Sequence, residues 1–166
     1  MDTLTPLNPM EVYERGLRDP DSLTQSERLV YVLMELETYA DMEGWDHFFA
    51  TDKLRYYPEL KAGLVASGDL ESLEVLEDYE GYLASQGVPL QADAIDDFIC
   101  SESAADLANC RDWREDYSRL GPERWEKVKA HLRRGGLAMA VTRHCTGPAR
   151  RNGPRDSKTG LRRAGE

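Results

Sequence analysis

The chain has 166 residues, 40% of them hydrophobic, with 31 acidic and 21 basic side chains and a net charge of −10. That length fits one domain with a core large enough to fold without disulfides or a metal. The negative balance argues against direct nucleic-acid binding, because phosphates would repel the chain as a whole, and no apolar run approaches the ~20 residues of a membrane span.

Helical signals follow one another from the N-terminus. Residues 1–8 read as an arm, and a helix is expected from Pro9 to about Leu17, closed by Asp19-Pro20. Thr24-Gln25-Ser26-Glu27 is a capping box, in which Thr and Glu satisfy each other's amides across the first turn. Behind it Leu29, Val32, Leu33, Leu36 and Tyr39 recur at helical spacing, and Gly44 ends the run. Trp45, Phe48 and Phe49 mark a short helix. Pro58 suits the first turn of the next, whose inward residues are Leu60 and Leu64 and whose stop is Gly68.

Asp69 is placed to cap the helix that runs to about Gln86, with Gly87 beyond. On it Val75, Leu76, Tyr79, Tyr82 and Leu83 share one arc, and Glu71, Glu74, Glu77, Asp78 and Glu80 the opposite one; Leu70 and Leu73 fall among the acids. The stretch Ala92–Cys100 repeats the scheme, with Ile95, Phe98 and Ile99 inward and Asp93, Asp96 and Asp97 outward. Trp113 and Tyr117 mark another helix, Leu120-Gly121-Pro122 breaks it, and Trp125, Val128 and Leu132 mark the last, ending at Gly135-Gly136. Leu137–Val141 is a short apolar run that fits a strand or a final helical turn equally. From residue 147 the chain is rich in Gly, Pro and Arg and reads as a flexible basic tail. The expectation is an all-α bundle of six to eight helices over residues 9–146, with Leu33, Leu36, Tyr79, Leu83, Trp113 and Trp125 in its core.

Charge is distributed unevenly along this chain. Residues 62–110 hold 11 acids and not one Lys or Arg, whereas residues 111–146 hold 9 bases against 5 acids. Solubility alone is served by mixed signs, so a one-signed stretch of this length points to a binding surface. The candidate residues are Glu71, Glu74, Glu77, Asp78, Asp93, Asp96 and Asp97. Side chains three or four apart on a helix lie ~5–6 Å apart, so rows of carboxylates approximate the dense, one-signed charge of a nucleic-acid backbone.

Other chemistry finds less support. His47 beside Asp46 could act as a general base, but a histidine partly buried among Trp45, Phe48 and Phe49 is the plainer expectation. Cys100, Cys110 and Cys145 read as reduced thiols of a cytoplasmic protein; the N-terminus lacks the features of a signal peptide. No Cys-x-x-Cys or His-x-x-x-His spacing supports a metal site, the acids lack the glycine turn of a calcium loop, and no phosphate-binding loop is present. No metal, cofactor or catalytic residue is therefore expected, and no enzymatic activity.

Several segments together resemble the DNA-mimic protein family, in which an acidic helical domain binds a DNA-binding transcription factor. They are Glu35-Leu36-Glu37, Glu43-Gly44-Trp45-Asp46-His47-Phe48-Phe49, Tyr57-Pro58-Glu59-Leu60, Gly63-Leu64, Ser67-Gly68-Asp69-Leu70 and Val75-Leu76-Glu77-Asp78-Tyr79, then Trp113, Tyr117 and the Trp125 helix. The resemblance implies an all-α domain, often a homodimer, without enzymatic activity, whose acidic face occupies the DNA-reading surface of a repressor-like partner. The same physics would suit an immunity protein or antitoxin against a basic toxin. An enzyme centred on His47, and self-association between the acidic helices and the basic helices of 111–134, complete the expectations.

Overall fold

The computed structural model describes residues 4–42, 44–101 and 112–140. The tail from 147, together with Cys110, Val141, His144 and Cys145, lies outside them. Within the described residues eight α-helices form an all-α fold: α1 (Pro9–Arg18), α2 (Gln25–Met42), α3 (Trp45–Phe49), α4 (Tyr57–Ser67), α5 (Leu70–Ser85), α6 (Ala92–Ile99), α7 (Trp113–Arg119) and α8 (Gly121–Arg134). Two three-residue strands accompany them, β1 (Thr5–Leu7) and β2 (Leu137–Met139).

Local chemistry sets the helix ends. Asn8 caps α1, its Oδ1 accepting from the Met10 amide at 3.1 Å, and Pro9 takes the first position, where it loses no hydrogen bond. The Thr24–Glu27 capping box is formed: Thr24 N–H donates to Glu27 Oε2 at 3.0 Å and Glu27 N–H to Thr24 Oγ1 at 3.4 Å. Glu27 also pairs with Arg15, tying α1 to the start of α2. Gly44 (φ +117°) and Gly68 (φ +80°) close α2 and α4 in the left-handed region that favours glycine.

Helix α2 is the axis of the bundle. Leu29, Val30, Tyr31, Val32, Leu33, Leu36 and Ala40 are all buried, more of its circumference than one apolar stripe, because α1, α3 and α4 pack around it. The approach is close enough that a Cβ at Gly16 would overlap the Tyr31 ring and one at Gly63 would overlap Leu29. Beyond α3 the core turns aromatic: Trp45 lies 4.8 Å from Tyr117 between ring centroids, Phe49 4.8 Å from Tyr79, and Tyr82 4.9 Å from Trp113. Leu33, Leu36, Tyr79, Leu83 and Trp113 are buried as expected. Trp125 is only partly buried at the core's edge, where its indole N–H reaches both Glu37 carboxylate oxygens at 2.9 Å.

The sheet was not expected. β1 and β2 pair in parallel, Thr5 against Leu137 and Leu7 against Met139, so the segment read as an arm is joined to the end of the helical domain. A parallel pair needs a long crossover, and here the eight helices supply it. Three residues are too few to display strand periodicity, which is why Leu137–Val141 fitted two readings.

Burial raises the phenol pKa values of Tyr13, Tyr31, Tyr56, Tyr57, Tyr79 and Tyr117 above the ordinary value. A group whose folded pKa is raised contributes stability below its unfolded pKa and loses it as pH climbs through the folded one. Stability should therefore fall above about pH 10. Phenolate absorbance should rise together with loss of the helical circular dichroism signal; a full tyrosine titration with the helix signal intact would contradict this packing.

Candidate functional site

The acids singled out in the sequence lie on the outer faces of α5 and α6. Helix α5 is held by its apolar arc, in which Val75, Leu76, Tyr79 and Leu83 are buried, and Glu71, Glu74, Glu77 and Asp78 are left exposed. Helix α6 inserts Ile95, packs on α3 and meets α5 where the Phe98 and Tyr82 rings lie 6.3 Å apart; Asp93, Asp96 and Asp97 are exposed. All seven candidates are thus solvent-facing, on two helices that touch.

They are not equivalent. Asp78 accepts from the Trp113 indole N–H at 2.8 Å, a bond that seats Trp113 on the aromatic core. Glu77 lies 3.5 Å from Lys61 Nζ, which also holds Glu80 at 2.9 Å. Partial burial disfavours the charge on Lys61, but these two carboxylates outweigh it and raise its pKa. On the other flank Lys127 of α8 sits between Glu123 at 3.0 Å, Asp69 at 3.3 Å and Glu71 at 3.4 Å. The hydrogen bond to Glu123, then that to Asp69, pushes its pKa up. Glu74, Asp93, Asp96 and Asp97 make no ion pair or hydrogen bond among the described residues. Among the seven candidates, the exposed acids without a described partner are therefore these four, one on α5 and three on α6, while Glu71 and Glu77 of the α5 row are each met by a lysine.

Asp69 departs from its expected role. It occupies the cap position of α5, but its side chain accepts no hydrogen bond from an α5 amide. Its carboxylate is 1% exposed and turned toward Lys127, so a tertiary ion pair has displaced the local cap. His47 departs too: it is exposed rather than buried among the aromatics, with Nδ1 3.5 Å from Asp46 Oδ1. The helix is one and a half turns long, and the three aromatic residues use its entire inner side. Among the described residues no group of three His, Cys, Asp or Glu side chains converges to hold a metal ion, and no helix is long and apolar enough to cross a membrane.

One cluster was not anticipated. Arg124 of α8 is fully buried, its guanidinium 3.6 Å from the centroid of the Tyr117 ring. Nη1 donates to Ser72 Oγ and to the Tyr117 carbonyl, both at 3.0 Å, and Nη2 donates to Glu37 Oε1 at 2.7 Å. The group ties α2, α5, α7 and α8 together and fixes the base on which the acidic surface stands. Its sequence signal was the spacing Arg124, Val128, Leu132, which puts a cation in line with the buried stripe of α8.

The geometry defines an all-α protein, with one small strand pair, whose α5 and α6 expose carboxylates. Residues 21–134 match the family described as DMP19-like protein, and the chain belongs to that family. Comparison with curated proteins and with solved structures gives no match.

Proposed function

We propose that the protein is a non-enzymatic binding protein whose α5–α6 surface stands in for DNA and occupies the DNA-binding surface of a basic, repressor-like transcription regulator. The observation that carries this reading is the set of exposed carboxylates on two touching helices, Glu74, Asp93, Asp96 and Asp97, in a 49-residue stretch without one Lys or Arg. Of the seven candidates, Lys61 and Lys127 meet only Glu77 and Glu71. One-signed fields of this kind steer association with an oppositely charged partner.

The test is charge removal at constant shape. Glu74→Gln with Asp93→Asn, Asp96→Asn and Asp97→Asn should leave the fold intact, since these side chains are exposed and hold no described partner. Stability should hold or rise as like-charge repulsion is relieved. Association of the parent with its regulator should slow at least about tenfold as the Debye length falls from ~30 Å toward ~8 Å with added salt. The neutralised protein should associate slowly at every salt concentration. Equal binding by the two proteins would make the acids a solvated surface and nothing more.

A further inference from the structure

Helix α4 presents an uncharged outer face in a highly charged chain. Its exposed positions are Pro58, Ala62, Val65 and Ala66, none of them charged, and Val65 is 56% exposed. Past the Gly68 turn the next residue of α5's outer side is Leu70, 60% exposed, followed on that side by Glu74 and Glu77. The two helices run as a hairpin whose register is fixed by Lys61, on α4, reaching Glu77 and Glu80, on α5. Val65 lies one turn from Lys61 toward the hairpin tip, so the apolar face and the acidic row adjoin.

We propose that Val65 and Leu70 form the apolar half of the partner-binding surface and that the occupant is a basic amphipathic helix of the partner protein. Its apolar side chains cover Val65 and Leu70, and its Lys or Arg side chains reach Glu74 and Glu77. This rests on the acidic-surface reading and adds what carboxylates alone do not give. Charge steers and orients, while the affinity of an interface comes mostly from a few desolvated apolar anchors ringed by polar groups. A second copy of the chain fits this face poorly, because a two-fold contact presents the same face of each copy to the other, and the cation on that face, Lys61, is already engaged by Glu77 and Glu80 and leaves none to meet the partner copy's acids.

The experiment uses the full chain and two synthetic peptides of one composition. One is a helix with Leu and Ala on one side and Arg on the other; the second is a scrambled control without an apolar side. By fluorescence anisotropy at physiological salt, the parent should bind the amphipathic peptide at least about tenfold more tightly than the control. The double variant Val65→Asn/Leu70→Gln should keep its melting temperature, lose that preference and retain weak, salt-sensitive binding of both peptides. A parent without preference, or a double variant that keeps it, overturns the inference while leaving the acidic reading in place. A parent that sediments as a dimer dissolved by the double variant overturns it as well, with a second copy as the occupant. If the variant neutralised at Glu74, Asp93, Asp96 and Asp97 binds both peptides as the parent does, the acidic reading fails and takes the inference with it.

Discussion

Replacing Arg124 with Ala should cost about 3–5 kcal/mol of folding stability, the range for breaking a buried ion pair by removing one partner. Three effects combine. Glu37 loses the Nη2 donor at 2.7 Å, Ser72 and the Tyr117 carbonyl lose the Nη1 donor, and the Tyr117 ring loses the guanidinium packed over it. Glu37 keeps some water and the Trp125 indole N–H, which moves the expectation toward the lower end. Arg124→Lys should recover only part of the loss, because an ammonium cannot reproduce the planar fork or the stacking. Urea denaturation at unchanged slope reads the difference. A loss below about 1 kcal/mol, the value of an exposed pair, would mean that the clasp does not hold the four helices.

Leu36→Ala should cost about 2–5 kcal/mol, the transfer term plus the cavity term for an emptied core leucine. Leu36 is fully buried on α2, and the helices packed around α2 limit how far the site can collapse. For a domain of this size each kcal/mol shifts the melting temperature by roughly 2–4 °C, so a drop of about 4–20 °C is expected. A shift under about 2 °C would mean that the site collapses freely, contrary to the packing described.

The parts of this fold legible in the sequence were those set by local rules. The Thr24–Glu27 box, the Gly68 stop and the inward arc of α5 each depend on residues within a few positions of one another. Most of what sequence reading missed depended on distant partners; the exposure of His47, set within the short α3 itself, is the exception. Asp69 abandons its cap for Lys127, 58 residues away, and Arg124 finds Glu37 across 87 residues. The parallel strands pair residues from opposite ends of the domain. The acidic surface was legible as composition, because a stretch without bases is visible in any alignment of letters to charges. Its internal division was not: Lys61 and Lys127 lie outside that stretch in sequence and reach Glu77 and Glu71 only in the fold.

The central claim is that the α5–α6 acids occupy the surface with which a regulator reads DNA, and competition tests it most directly. The protein is titrated into a preformed regulator–operator complex, and release of labelled DNA is followed by anisotropy. The account predicts that DNA is released as this protein binds, that the release weakens with rising salt, and that the variant neutralised at Glu74, Asp93, Asp96 and Asp97 releases little. A regulator that holds this protein and its operator at the same time, in one ternary complex, would contradict it.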